Sequence, residues 1–244
     1  MVHASARERF AALVAHEDDD IDLARAALCV AAEERPDLDL EAYVRRLDEL
    51  ATRVAPSLAA FRAPSDALAT MRELFARERF RGNTADYYDP RNSYLDQVLE
   101  RRLGIPITLS IVYLEVGWRC GLPLAGVGFP GHFLAKYVEP GGEQYVDPFD
   151  GARTVSLGQL RTRLSAAFGP SANLLPEHLG AVTRRQLLVR LNLNLKAVFT
   201  ERGDLARALA AVERILLLTP DAPAEIRDRE LLRLGLRRER ARLN

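Results

Sequence analysis

The spacing of apolar positions changes character twice along the chain. From about residue 4 to 80 it follows the three-to-four-residue recurrence of amphipathic helices. ARERFAALVAH leads into an acidic patch, Glu17 to Asp20, that suits the start of the next helix. That helix, IDLARAALCVAAEE, is rich in Ala and Leu. It stops at Arg35-Pro36, because a residue before proline is pushed out of helical geometry. LDLEAYVRRLDELATRV places Leu40, Tyr43, Val44, Leu47 and Leu50 on one side. Pro56 and Pro64 punctuate the next stretch, and SDALATMRELFARERF reads as a helix capped by Ser65 or Asp66.

At residue 81 the pattern breaks. RGNTADYYDPRNSY is polar, aromatic and dense in turn formers, so no regular element is expected there. YLDQVLERRLG resumes helical spacing, with Gly104 as the expected C-terminal cap. ITLSIVYLEVGWRC is almost wholly apolar and predicts a buried helix that starts at Pro106 and ends before Gly121. LAGVGF, HFLAKYVE and EQYVDPF read as extended segments, the last two joined through Glu139-Pro140-Gly141-Gly142 as a hairpin. After Ser156 helical spacing returns and persists to the end. The prediction is an α+β fold, mostly α, in three regions: N-terminal helices over 1–80, a core with a small antiparallel sheet over 81–155, and helices over 156–244.

Composition excludes several functions. The 244 residues carry 34 basic and 34 acidic side chains, so no net field argues for nucleic acid or an anionic membrane as partner. No apolar run reaches the roughly 18 residues that span a bilayer. The opening MVHASARERF lacks the order of a signal peptide, which makes the cytoplasm the expected location. Cys29 and Cys120 alone make neither a disulfide framework nor a four-ligand zinc site. The histidines show no metal-ligand spacing and no phosphate-binding glycine loop is present, so no cofactor or metal is expected.

Candidate chemistry concentrates between Asn92 and Asp150. His132 opens one predicted strand and Asp147 ends the next, both near the N-terminus of the buried helix, the layout of a nucleophile, base and orienter. A two-residue hairpin turn would set His132 and Asp147 on one face as diagonal neighbours, about 7–8 Å apart between backbones; a three-residue turn would set them on opposite faces. Thr108 and Ser110 fall in the first turn or so of the helix, where capping is the commoner role and nucleophilic attack the rarer one. The loop carrying Tyr88, Arg91 and Asn92 could border a cleft and bind a ligand or peptide.

The segment NSYLDQVLERRLGIPITLSIVYLEVGWRCGLPLAGVGFPGHFLAKY, followed by YVDPFDG, resembles bacterial transglutaminase-like proteins of the SirB-one type. GIPITLS, PGHFL and VDPF, in this order, carry the resemblance. That family joins a transglutaminase-like core to a C-terminal tetratricopeptide segment. Leu195, Phe199, Gly203, Ala208 and Pro220 fall at the repeat's spacing, whereas Asn192 and Lys196 depart from it. RDRELLRLG resembles the closing motif, with Glu230 where glycine is expected. The resemblance implies His132 as base, Asp147 as orienter and a nucleophilic cysteine between Pro106 and Ser110, where this sequence has none. It therefore implies a pseudoenzyme that binds a protein or peptide as a regulatory scaffold. The alternative is a hydrolase or amide-transfer enzyme working through Thr108 or Ser110, or through a water activated by His132.

Overall fold

The computed structural model describes residues 4–59, 63–139 and 141–243; Pro140 of the predicted turn and the first three residues of the opening segment lie outside them. Helix α1 (Ala6–Val14) starts in a capping box, the Ser5 hydroxyl accepting from the Glu8 N–H while the Glu8 carboxylate accepts from Ser5. Helix α2 (Leu23–Ala32), capped by Asp22, is buried over almost its whole length. Helix α3 (Leu40–Ala59) runs on through Pro56, where the proline predicts a break; the missing N–H removes one bond from the ladder. Helix α4 (Pro64–Arg77) comes next.

Strand β1 (Arg81–Gly82) pairs in parallel with β2 (Leu103–Gly104), on either side of helix α5 (Leu95–Arg101). The α5 terminus corrects the predicted glycine cap. Arg102 takes the left-handed conformation (φ 60°), held by its guanidinium on the Leu99 carbonyl and Glu78. Gly104 is needed for another reason, since a Cβ there would lie 2.8 Å from the Thr108 hydroxyl. Helix α6 (Pro106–Arg119) then runs as predicted, buried from Pro106 to Gly117.

The sheet comprises β3 (Leu124–Val127), β4 (Leu134–Glu139), β5 (Gly142–Asp147), β6 (Arg153–Val155) and β7 (Ala181–Val182), in the order β6-β5-β4-β3-β7 and antiparallel throughout. Strands β6 and β7 are too short to leave a period in the sequence. Helix α7 (Leu157–Phe168) covers the sheet with Leu160 and Leu164 against Val127, Phe129 and Leu134. Helices α8 (Arg184–Glu201) and α9 (Leu205–Leu218) pack on each other across the Gly203 turn, and α10 (Pro223–Leu243) packs on α9.

Helix α6 is the hub: the sheet lies against it, and α2, α3, α5 and α8 surround it. One hydrophobic core runs from Phe10 in α1 to Leu218 in α9, so the three sequence regions share it. Polar contacts bind the first region to the last. The Glu33 carboxylate takes the guanidinium of Arg7 and that of Arg214, which is 3% exposed and also donates to Asn192 Oδ1 at 2.6 Å. Glu33→Gln should leave the Arg214 charge enclosed without its counter-ion and lower the free energy of unfolding by about 3 kcal/mol. Urea unfolding followed by circular dichroism measures this; a loss below about 0.5 kcal/mol would show that the network does not join the two regions.

Candidate functional site

The site is built on the β4–β5 hairpin. The register pairs Glu139 with Gly142 and Ala135 with Val146, which is the two-residue connection rather than the three-residue one. Gly131, at φ +69°, turns the chain ahead of β4. His132 sits in this bend, two residues before the strand rather than at its first residue, with its N–H on the Phe129 carbonyl at 2.9 Å. The imidazole Nε2 lies 2.9 Å from Asp147 Oδ2 and 3.0 Å from Oδ1. Hydrogen-bonded to the carboxylate, Nε2 carries the proton in the neutral ring, which leaves Nδ1 as the acceptor.

Asp147 is 1% exposed, and its carboxylate is met from several sides. Arg163 on α7 donates to Oδ2 at 2.7 Å. The backbone N–H groups of Phe149 and Asp150 donate to Oδ1, at 3.1 and 3.4 Å, so Asp147 also caps the turn Pro148–Asp150. Burial by itself would raise its pKa. The hydrogen bonds and positive charge of His132 and Arg163 outweigh burial and hold the carboxyl below the usual carboxylate range. No sequence signal points to Arg163, because it lies 16 residues past Asp147 on another element and no spacing rule links the two.

An aromatic wall stands beside the imidazole. The Phe149 ring meets His132 edge-on at 5.8 Å, Tyr87 meets Phe149 at 6.2 Å, and Tyr88 meets Tyr87 at 5.3 Å. Gly82 lets this wall close on β1, since a Cβ there would lie 2.5 Å from the Phe149 ring. The side chain of His132 is 12% exposed, and Nδ1 has no hydrogen-bond partner among the described residues.

The remaining candidates are placed differently. Thr108 is wholly buried, accepting from the Ile105 N–H at 3.1 Å and donating to the Asn92 carbonyl at 2.7 Å. It is a helix cap tied to the preceding loop. Ser110 is wholly buried with no partner for its hydroxyl. Neither is hydrogen-bonded to His132. Asn92, expected to face a ligand, is buried too. Its Nδ2 donates to the Asp86 and Tyr87 carbonyls, and its Oδ1 accepts from Asn83 and Arg101, so it pins the loop from within. Tyr88 and Arg91 do face outward, Arg91 beside Asp89. Burial pushes the Cys29 thiol up to about 11 and raises that of Cys120, which touches the Ala51 carbonyl. Among the described residues no group of three or more His, Cys, Asp or Glu side chains is placed to hold a metal ion, and no helix is long and apolar enough to cross a membrane.

Comparison with known proteins supplies the family. A model described as the transglutaminase-like superfamily matches residues 41–192. A UPF0162 protein of Xylella fastidiosa (strain 9a5c) is 38% identical over 226 residues, 90% of this chain and 80% of the relative. The chain belongs to the UPF0162 family, with a transglutaminase-like core. A Vibrio cholerae member of UPF0162 is 34% identical over 214 residues, covering 86% of this chain and 78% of its own. The F-box only protein 21 of Mus musculus shares 44% identity over 77 residues, 32% of this chain and 12% of that protein. No solved structure matches. The matched span of this UPF0162 protein extends past both ends of residues 81–155, as expected of a core whose central helix is packed by α3 and α8.

The lowered pKa of Asp147 carries a sign. Its ionised form contributes stability that is complete above the unfolded value, about 3.9, and fades as pH falls through the folded value. Asp147→Asn should therefore cost about 2 kcal/mol at neutral pH, with the gap to wild type narrowing below about pH 4. Urea unfolding across pH measures it; an equal gap at both ends would contradict the assignment.

Proposed function

We propose that this UPF0162 protein binds a peptide or protein segment at the His132 site of its transglutaminase-like core, as a scaffold rather than an acyl-transfer enzyme. The observation that carries the reading is the surroundings of His132. Its Nε2 is engaged by Asp147, and neither a thiol nor a hydroxyl is hydrogen-bonded to the ring among the described residues. A base and its orienter without an attacking group cannot form a covalent acyl intermediate. The two thiols lie in α2 and at the end of α6, with their pKa values raised, which favours the unreactive form. What the site offers is recognition: an imidazole with one uncommitted nitrogen, an aromatic wall, and the outward-facing Tyr88 next to that wall. We read the α8–α9 pair as a tetratricopeptide-like hairpin that widens this surface. Two unpaired thiols suit a reducing compartment such as the cytoplasm.

A second reading has support of its own. The partner-free Nδ1, at a ring that reaches solvent, could activate a water for hydrolysis. Thr108 is the weaker nucleophile, since its hydroxyl is enclosed and already donates to the Asn92 carbonyl.

Assay of the full chain with dimethylcasein and a dansylated amine separates the readings. Incorporation and amide hydrolysis should both stay at the level of His132→Gln, a variant that keeps a donor for Asp147. In a fluorescence-polarisation screen of peptides, His132→Gln should weaken the best binders about fivefold with an unchanged circular dichroism spectrum. Turnover in wild type that His132→Gln abolishes would replace the scaffold reading with the hydrolytic one.

A further inference from the structure

We propose that the groove between β3, β7 and α8 receives an extended apolar peptide segment carrying an acidic side chain, whose carboxylate is held by Arg190. This rests on the peptide-binding reading and adds the kind of segment and the residue that selects it. The groove has a volume of about 510 Å³, within the range of ligand clefts. Phe133, Val182, Val189 and Leu193 line it with apolar surface, and Gly128 leaves its backbone open, only Val182 approaching the position of a Cβ, at 3.4 Å.

The polar members of the lining separate into two kinds. Thr183 and Gln186 cap α8 reciprocally. Arg185 donates to the carbonyls of Leu218, Val14 and His16. Thr219 donates to the Ile215 carbonyl. All four are occupied in holding the fold. Arg190 is not: it is half-buried on α8 and has neither a hydrogen bond nor an ion pair among the described residues. A guanidinium presents donors in a planar fork that matches a carboxylate, and those of Arg190 are free to meet one. Both charged residues of the lining are arginines and no acidic residue lines it, so the groove complements a ligand that brings a negative charge.

The groove adjoins the His132 site. Phe133 follows His132 in the chain, and the Arg190 charge acts on Tyr87, which packs on the Phe149 ring beside His132.

The test titrates the isotope-labelled full chain, by amide NMR, with acetyl-Ala-Leu-Glu-Leu-Ala-amide and with its Gln twin. The Glu peptide should bind about tenfold more tightly, with shifts centred on Gly128, Val182 and Leu193. Arg190→Gln should bring it down to the level of the Gln twin, whose own binding stays unchanged, and Arg190→Lys should restore part of the difference. Equal affinities in wild type, shifts centred elsewhere, or no saturation by about 10 mM would each overturn the proposal. So would tighter binding of the Gln peptide with a free terminal carboxylate, which would give Arg190 to a chain end. The two readings fail separately. Loss of the Glu preference leaves any effect of His132→Gln on peptide binding intact, whereas a groove-bound Glu peptide indifferent to His132→Gln removes only the role given to His132.

Discussion

A carboxylate removed from water stays ionised only where donors replace the solvent it gave up, and Asp147 is enclosed almost completely. Its donors come from four places: the His132 ring, the Arg163 guanidinium, and the N–H groups of Phe149 and Asp150. Each satisfies the charge and is fixed by it. The bend at His132 is held against the end of β5, α7 is tied to the sheet, and the turn Pro148–Asp150 directs Phe149 over Gly82. The site is in this sense an electrostatic solution to one buried charge.

The other half of the site rests on α6. Its N-terminus is anchored by Thr108, whose hydroxyl links the Ile105 N–H to the Asn92 carbonyl, while Asn92 gathers the loop before it through Asp86, Tyr87, Asn83 and Arg101. Gly104 makes room for that hydroxyl. Thr108 and Asn92, which the sequence offered as nucleophile and ligand contact, are joints between loop and helix. Pro106 is the first helical residue, and the stretch from it to Ser110 holds no cysteine.

On the reading proposed above, recognition is the chemistry of this site. On that reading the aromatic wall, the uncommitted imidazole nitrogen and the arginine on α8 form a surface that discriminates by shape and charge. They lie on elements anchored to one core, from α1 through α9, so the surface is held by the whole chain and not by a detachable module.

Much of the fold was legible in sequence. The amphipathic helices, the wholly apolar α6 after Pro106 and the hairpin around Gly141 each follow from local periodicity or a local turn signal. The types of His132 and Asp147, and the absence of a cysteine beside Pro106, were equally plain. The sequence left the hairpin register open, and the register decided that His132 and Asp147 share a face. It held no sign of Arg163 or Arg190, whose roles come from helices remote in sequence, nor of β6 and β7, which two or three residues cannot announce. It placed Asn92 toward a ligand and the α5 cap at Gly104, where the structure has an internal brace and Arg102. Local patterns report what a residue does within its own element; which side chains remain uncommitted depends on contacts between elements, and those exist only once the chain has folded.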